Sequence, residues 1–378
     1  MSGVRQQLQA LLIALSLCGL HAWRATTGLM LRRRAAVALN VVQELQQQQV
    51  QQLAATCELP QLLTGVFTGL DTEAFCERLV DDLAEEYIRY QIRDAKDGYT
   101  ELYDAPLIEF IEGLQEESSL DRSWYLLTED LLETHAPDLQ SQLQLPEDSF
   151  GADLFALFPT PVRPKRGCLI IGGTGSRSFL HADPYEWLGW NVLMEGTKLW
   201  TFLPPCSETE LQGQRVEPNA WGALYNVSAG WQSPIDLYRH LEVLPSPADS
   251  RSSTRPPIAL QSGVPDHLWQ QRIEIVQREG DVVLIPARWW HQVIHLEPSI
   301  AVAGQHMNAQ NSRRVLQHMR DWCGLGQAPF PDDFDLWTPP AQIEHVLREA
   351  LAAQHGAEEG EFLYAQLVDA PHKYKDLW

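Results

Sequence analysis

The chain has 378 residues, 44% of them hydrophobic, 13 tryptophans and a formal net charge of -22. That is enough apolar mass for one large domain or two ordinary ones, and so acidic a balance argues against binding to a nucleic-acid backbone. It suits a basic protein or peptide partner, although charge kept for solubility is the plainer account.

The charge is uneven. The first 50 residues hold Arg5, Arg24, Arg32, Arg33 and Arg34 against one acid, Glu44. An apolar run from Leu8 to Leu20 is too short for a stable membrane span but has the length of a signal-peptide core, with Ala22 placed for cleavage. The arginine cluster and the lack of acids equally resemble an organelle transit peptide. We therefore expect residues 1–55 to be a targeting segment, secretory or organellar, followed by the glutamine-rich spacer "QELQQQQVQQL". The alternative is an ordinary N-terminal helix of a cytoplasmic or nuclear protein.

Residues 56–150 read as helical. Phe75, Leu79, Leu83 and Tyr87 recur every four positions behind an Asp71/Thr72 cap, and further helices are predicted over 107–115 and 122–134. From 151 to 310 the texture changes to short β-rich runs separated by Gly and Pro, such as "GCLIIGG", "KLWTFLPP", "IEIVQ" and "DVVLIPA". These predict a barrel or sandwich. Residues 206–278 read as a long insertion. It contains a loop without structure, "LPSPADSRSSTRPP", and a candidate substrate-facing surface, "QRVEPNAWGALYNVSAGW". Asn226-Val227-Ser228 matches a glycosylation sequon, relevant only to a secreted chain. Residues 311–378 are helical again, "HVLREALAAQH" being the clearest piece. The six cysteines have no CxxC pair and read as small buried residues. The sequence carries no internal repeat and no signal for oligomeric state.

The chemistry lies in "FLHADPYEWLGWNVLMEGTKLW". Residues two apart on a strand share a face, so His181 and Asp183 converge if "FLHAD" is extended. A third ligand from another strand is available at His291, in "GDVVLIPARWWHQVIHL". Two histidines and a carboxylate on one face of an ion leave three positions open, the arrangement of non-haem Fe(II) oxygenases. Lys198 sits in an apolar strand-like run, where a buried ammonium needs an anion. The far carboxylate of 2-oxoglutarate would supply one.

With these residues in order, "HAD", the lysine and "GDVVLIPARWWHQV", the chain resembles the Jumonji-C (JmjC) group of cupin-fold oxygenases, in the branch of protein hydroxylases and phosphatidylserine-receptor-like lysyl hydroxylases. The resemblance covers about 150–308 strongly and about 75–150 loosely. It implies a mainly β fold, a double-stranded β-helix (cupin or jelly-roll) barrel with flanking N- and C-terminal α-helices. It also implies Fe(II), O2 and 2-oxoglutarate as metal, oxidant and co-substrate. His181, Asp183 and His291 would hold the metal and Lys198 the C5 carboxylate, with Ser178 and Asn191 as further co-substrate contacts. Where some relatives place a threonine, this chain has Ala303, and Gln305 shares its strand parity. His295 falls on the same parity as His291 and reads as a neighbour of the site, not a fourth ligand. Trp187, Trp190, Trp289 and Trp290 read either as pocket walls or as plain core. The activity implied is hydroxylation of a protein side chain, or N-demethylation where the carbon bears nitrogen, with release of succinate and CO2. Asp183, where demethylases often carry glutamate, favours hydroxylation. The competing readings are a non-catalytic cupin-fold binding module and a metal-dependent cupin enzyme that does without 2-oxoglutarate.

Overall fold

The central strands of this structure are buried on both faces, whereas outlying ones alternate between buried and exposed side chains. The computed structural model describes residues 44–45, 57–67, 69–94, 100–117, 121–216, 230–239, 241, 244 and 263–369. They lie within one unit, Asn40–Trp378. The expected targeting segment, the sequon and nearly all of the Ser/Pro-rich loop fall outside the described residues.

Two short strands, β1 (Glu44–Leu45) and β2 (Gln61–Thr64), pair in parallel. Helix α1 (Thr72–Leu83) follows, capped by Asp71, whose carboxylate accepts from the Ala74 N–H at 3.0 Å. Phe75, Leu79 and Leu83 are buried on one face, as their spacing requires.

The helix does not continue to Tyr87. That residue opens β3 (Tyr87–Asp94), in which Ile88, Tyr90 and Ile92 are buried while Tyr87 is 75% exposed. The run "YIRYQIR" is β-branched and aromatic with a period of two, which outweighs the four-residue coincidence of Tyr87 with Leu83. β4 (Thr100–Pro106) pairs with it, and α2 (Leu107–Glu117) is the helix expected near 107. The helix expected over 122–134 is instead β5 (Arg122–Thr128), followed by one short helix, Leu131–His135. "SWYLLT" consists largely of residues that fit a half-buried sheet, and β3 on one side and the barrel on the other fix it there. The part before the barrel is therefore mixed, not purely helical.

Among the described residues ten further strands follow: β6 (Cys168–Gly172), β7 (Leu180–Ala182), β8 (Leu188–Glu195), β9 (Thr197–Leu203), β10 (Gln214–Val216), β11 (Gly230–Ser233), β12 (Ile273–Arg278), β13 (Asp281–Ile285), β14 (Trp290–His295) and β15 (Ser299–His306). One sheet runs β1-β2-β13-β8-β15-β6-β5-β3-β4 and the other β10-β11-β7-β14-β9-β12. Their centres, β13-β8-β15-β6 and β7-β14-β9-β12, are the two four-stranded faces of a double-stranded β-helix. The barrel's fold agrees with the sequence reading. Outside it, β5, β3 and β4 extend one sheet past β6, while β11 and β10 extend the other past β7.

The insertion is shorter than expected. Ile273–Arg278 belongs to the barrel, pairing with β9 over six residues, and "QRV" and "GWQS" at the ends of the proposed surface form β10 and β11.

Trp200, Phe202, Ile275, Val283, Ile285, Trp289 and Val293 fill the space between the sheets. Leu180, Leu199, Leu203, Trp290 and Ile294 lie on the outer face of the second sheet under residues of the insertion. The C-terminal helices α3 (Ser312–Trp322), α4 (Pro339–His355) and α5 (Ala357–Asp369) build a third cluster, which takes in Tyr185 and Trp187 from the segment after β7. The five described cysteines are free, Cys76 and Cys323 buried and the others half-buried. Among the described residues no helix is long and apolar enough to cross a membrane.

The strand at 87–94 is testable by urea denaturation. Ile92→Ala should cost about 2–4 kcal/mol, as for a buried β-branched side chain, and Tyr87→Ala less than about 0.5 kcal/mol. A helix continuing through Tyr87 would make Tyr87→Ala the costly change.

Candidate metal centre and cavity

β7 and β14 are neighbours, and their register sets His181 directly opposite His291. The ring centroids are 4.1 Å apart. Leu180 and Ala182 point to the outer cluster, so the alternation of the strand turns His181 inward. Each ring is tied to the main chain through Nδ1, His181 to the Phe179 carbonyl at 2.8 Å and His291 to the Trp289 carbonyl at 3.1 Å. A carbonyl only accepts, so Nδ1 carries the proton and Nε2 keeps its lone pair. Both Nε2 atoms face Asp183, whose Oδ1 lies 3.7 Å from His181 and 3.9 Å from His291. One ligand atom from each of the three residues falls within 4.8 Å of the others. Burial, followed by the neighbouring His181, holds the His291 imidazole down to about 4, so it is neutral and able to ligate near pH 7. This donor set fits a divalent iron ion with open positions.

The flanking backbone is built to hold that arrangement. A Cβ on Gly189 would lie 2.9 Å from Asp183 Oδ2 and 3.1 Å from Ile285 Cβ, so the "LGW" glycine makes room for the carboxylate. Past Asp183 and Pro184, Tyr185 and Glu186 both adopt left-handed conformations, φ 59° and 52°, as does Arg288 before His291, φ 66°. Such non-glycine residues persist only where their surroundings hold them. Tyr185 is fully buried against Trp187 and Trp322, and the Glu186 carboxylate reaches Arg314 at 3.3 Å and Arg288 at 3.9 Å.

The triad lines a cavity of about 500 Å³. Ser178 and Asn191 are on its wall. The Ser178 hydroxyl accepts from the Val293 N–H at 3.1 Å. Asn191 is 1% exposed and its Oδ1 has no hydrogen-bond partner, a buried acceptor without its complement. Ala303 lies opposite Asn191 in the β8–β15 register. Gln305 lies one inward-facing step further, opposite Gly189 at the Asp183 end, and its amide donates to the Lys165 carbonyl at 2.6 Å.

Lys198 is 1% exposed and is set deeper, opposite His295 on β14. It is not on the cavity surface, but Trp200, two residues along the same face, is. Burial pulls the Lys198 ammonium down to about 7, with Cys168 opposing. Among the described residues it makes no hydrogen bond or ion pair. His295 stands apart from the triad at this inner end, its Nδ1 against the Ser299 hydroxyl, its imidazole held neutral by burial and by Lys198.

Two residues escape the sequence reading. Tyr125 lines the cavity and sets its ring edge-on to His295 at 5.8 Å, with burial and then Cys168 raising its phenol. It lies on a segment expected to be helical, which hid its face. Trp200 also forms wall, together with Trp187 and Trp190, whereas Trp289 and Trp290 belong to the inner and outer cores.

The family model described as a cupin-like domain matches residues 75–305. Among curated proteins, the chain is 26% identical over 264 residues to the arginine-specific demethylase JMJ22 of Arabidopsis thaliana, covering 69% of this chain and 44% of that one. It is 27% identical over 166 residues to the bifunctional arginine demethylase and lysyl-hydroxylase psr-1 of Caenorhabditis elegans, covering 44% and 36%. It is 25% identical over 177 residues to the 2-oxoglutarate and iron-dependent oxygenase JMJD4 of Danio rerio, covering 46% and 35%. The chain thus spans less than half the length of each of these relatives. The JmjC resemblance read from the motifs agrees with all three.

Crowding at Gly189 generates a test. Gly189→Ala should weaken Mn(II) binding about 10- to 100-fold by calorimetry, because the added methyl displaces the Asp183 carboxylate. Unchanged affinity would show that Asp183 is not held where the ion needs it.

Proposed function

Because the chain belongs to the cupin-like family and its barrel holds two histidines and a carboxylate at one point, we propose that it is an Fe(II)- and 2-oxoglutarate-dependent oxygenase. Its substrate is a protein side chain, which it hydroxylates or, at an N-methyl carbon, demethylates. The convergence of His181, Asp183 and His291, with both Nε2 atoms facing the carboxylate, carries this reading. The three relatives are named for demethylation, lysyl hydroxylation or 2-oxoglutarate-dependent oxygenation, which supports both outcomes. Bound iron with 2-oxoglutarate and O2 supplies the oxidising equivalent for the C–H bond, leaving succinate and CO2.

The chain's own residues do the positioning. His181 and His291 present Nε2 because Nδ1 is fixed to the backbone. Asp183 completes the set from the turn after β7. Asn191 lies on the cavity wall, where its amide N–H groups can donate to the co-substrate's near carboxylate, and Ser178 places a hydroxyl on the same wall. Lys198, buried without an ion pair, meets the far carboxylate. Trp187, Trp190 and Trp200 keep water from the reacting atoms. The acidic chain suits a basic protein substrate, and the arginine-bearing N-terminal segment is read as directing it to an organelle or the secretory pathway.

Succinate release from 2-oxoglutarate under air, with Fe(II), tests the activity. His181→Ala should abolish it, and turnover that survives this change would refute the reading. Mass spectrometry of candidate basic proteins, for one added oxygen or one lost methyl group, then separates the two outcomes.

A pH dependence follows from Lys198. A dianion beside it returns its proton affinity toward the ordinary lysine value. Above about pH 7, where the free chain's Lys198 loses its proton, binding must take one up. The affinity for 2-oxoglutarate should therefore fall as pH rises, by up to about tenfold per unit between pH 7.5 and 9.5. Calorimetry with Mn(II) in place of iron should show this slope in the wild type and lose it in Lys198→Met.

A further inference from the structure

The insertion between β9 and β12 contributes a residue to the metal cavity that the metal centre does not use. β11 pairs with β7, the strand of His181, so that Gln232 lies directly opposite that ligand. Residues opposite one another across an antiparallel pair point to the same face, about 4.5–5.5 Å apart at Cβ. Gln232 accordingly lines the cavity beside His181. Close docking of this strand depends on Gly230, at φ 138°, where a Cβ would lie 2.6 Å from the Ala182 carbonyl oxygen.

From the other sheet, β3 contributes Gln91 to the same cavity. It is placed by its pairing with Tyr125 on β5 and Leu102 on β4. Neither glutamine amide makes a hydrogen bond among the described residues. Between and around them the lining is largely apolar, with Leu102, Leu127 and Phe179 respectively 66%, 43% and 47% exposed, and Arg89 and Glu129 as its charged members on the β3 and β5 side. The two sheets are thus extended on the same side of the barrel, where β6 and β7 are its outer strands. A trough with an amide from each sheet leads to the triad.

On the oxygenase reading above, we propose that Gln232 and Gln91 bind the main chain of an extended peptide on either side of the side chain being oxidised. A primary amide offers two donors and an acceptor, the complement of a peptide group, and carries no charge that would select one side-chain class. The exposed leucines and Phe179 then cover the flanking side chains. Within a substrate protein, selection of the oxidised position rests on an extended, accessible segment held by its backbone, with the insertion supplying one of the two contacts.

The test uses the full chain with Fe(II), 2-oxoglutarate and a pool of random-sequence synthetic peptides. The quantity read is oxidised peptide formed per succinate released. Mn(II) binding, which needs the triad alone, controls for an intact site. Gln232→Ala and Gln91→Ala should each lower that ratio by about tenfold, the size expected for a lost hydrogen bond in a partly dry site, and still bind Mn(II). An unchanged ratio in both variants overturns the assignment. A wild type that binds Mn(II) and releases no succinate overturns instead the oxygenase reading on which the assignment stands.

Discussion

Two imidazoles 4.1 Å apart, facing a carboxylate in a half-dry cavity, form the constraint that the surrounding chain serves. Polar groups brought this close and removed from water cost free energy unless each finds its complement. Main-chain carbonyls two residues upstream take each Nδ1 proton, so both rings turn the same nitrogen toward Asp183. The rest follows from keeping this register. β7 is only three residues long, and the backbone after Asp183 passes through two left-handed residues before β8 begins. Tyr185, locked among the C-terminal helices, and Glu186, between Arg314 and Arg288, hold that turn. The helices after residue 311 thereby help to hold the turn that carries Asp183.

The opposite end of the barrel is organised by a single cation. Lys198 has paid desolvation without an ion pair among the described residues, and the groups around it are neutral in the ordinary pH range: His295 by burial, Cys168 and Tyr125 likewise. On the proposed oxygenase reading, such an ammonium would meet the far carboxylate of a dianion whose other end reaches the triad. Asn191, with its carbonyl oxygen unsatisfied, lies on the wall between them.

Much of this could be read from the amino-acid order because it rests on local periodicity. His181 and Asp183 are two residues apart, His291 follows an apolar strand-like run and a proline turn, and Lys198 stands out as a charge among buried neighbours. Two kinds of feature were hidden. One is conflict between periods. Tyr87 completes a four-residue spacing after Leu83, yet "YIRYQIR" also alternates, and the sheet edge offered by β5 decided in favour of the strand. Tyr125 was hidden by a second such error, the helix expected over 122–134 where β5 lies. The other is adjacency between strands far apart in sequence. That Gln232 lies opposite His181, and that Gly189 makes room for Asp183, depends on register and close approach, which no local pattern encodes. The barrel strand Ile273–Arg278 was similarly absorbed into the insertion because the Ser- and Pro-rich sequence upstream of it blurred the boundary.

The most direct test of the central claim is anomalous diffraction from a crystal of the full chain containing Mn(II). The account requires one strong peak bonded to Nε2 of both His181 and His291 and to the Asp183 carboxylate. A peak elsewhere, or one reached through Nδ1 of either ring, would contradict it.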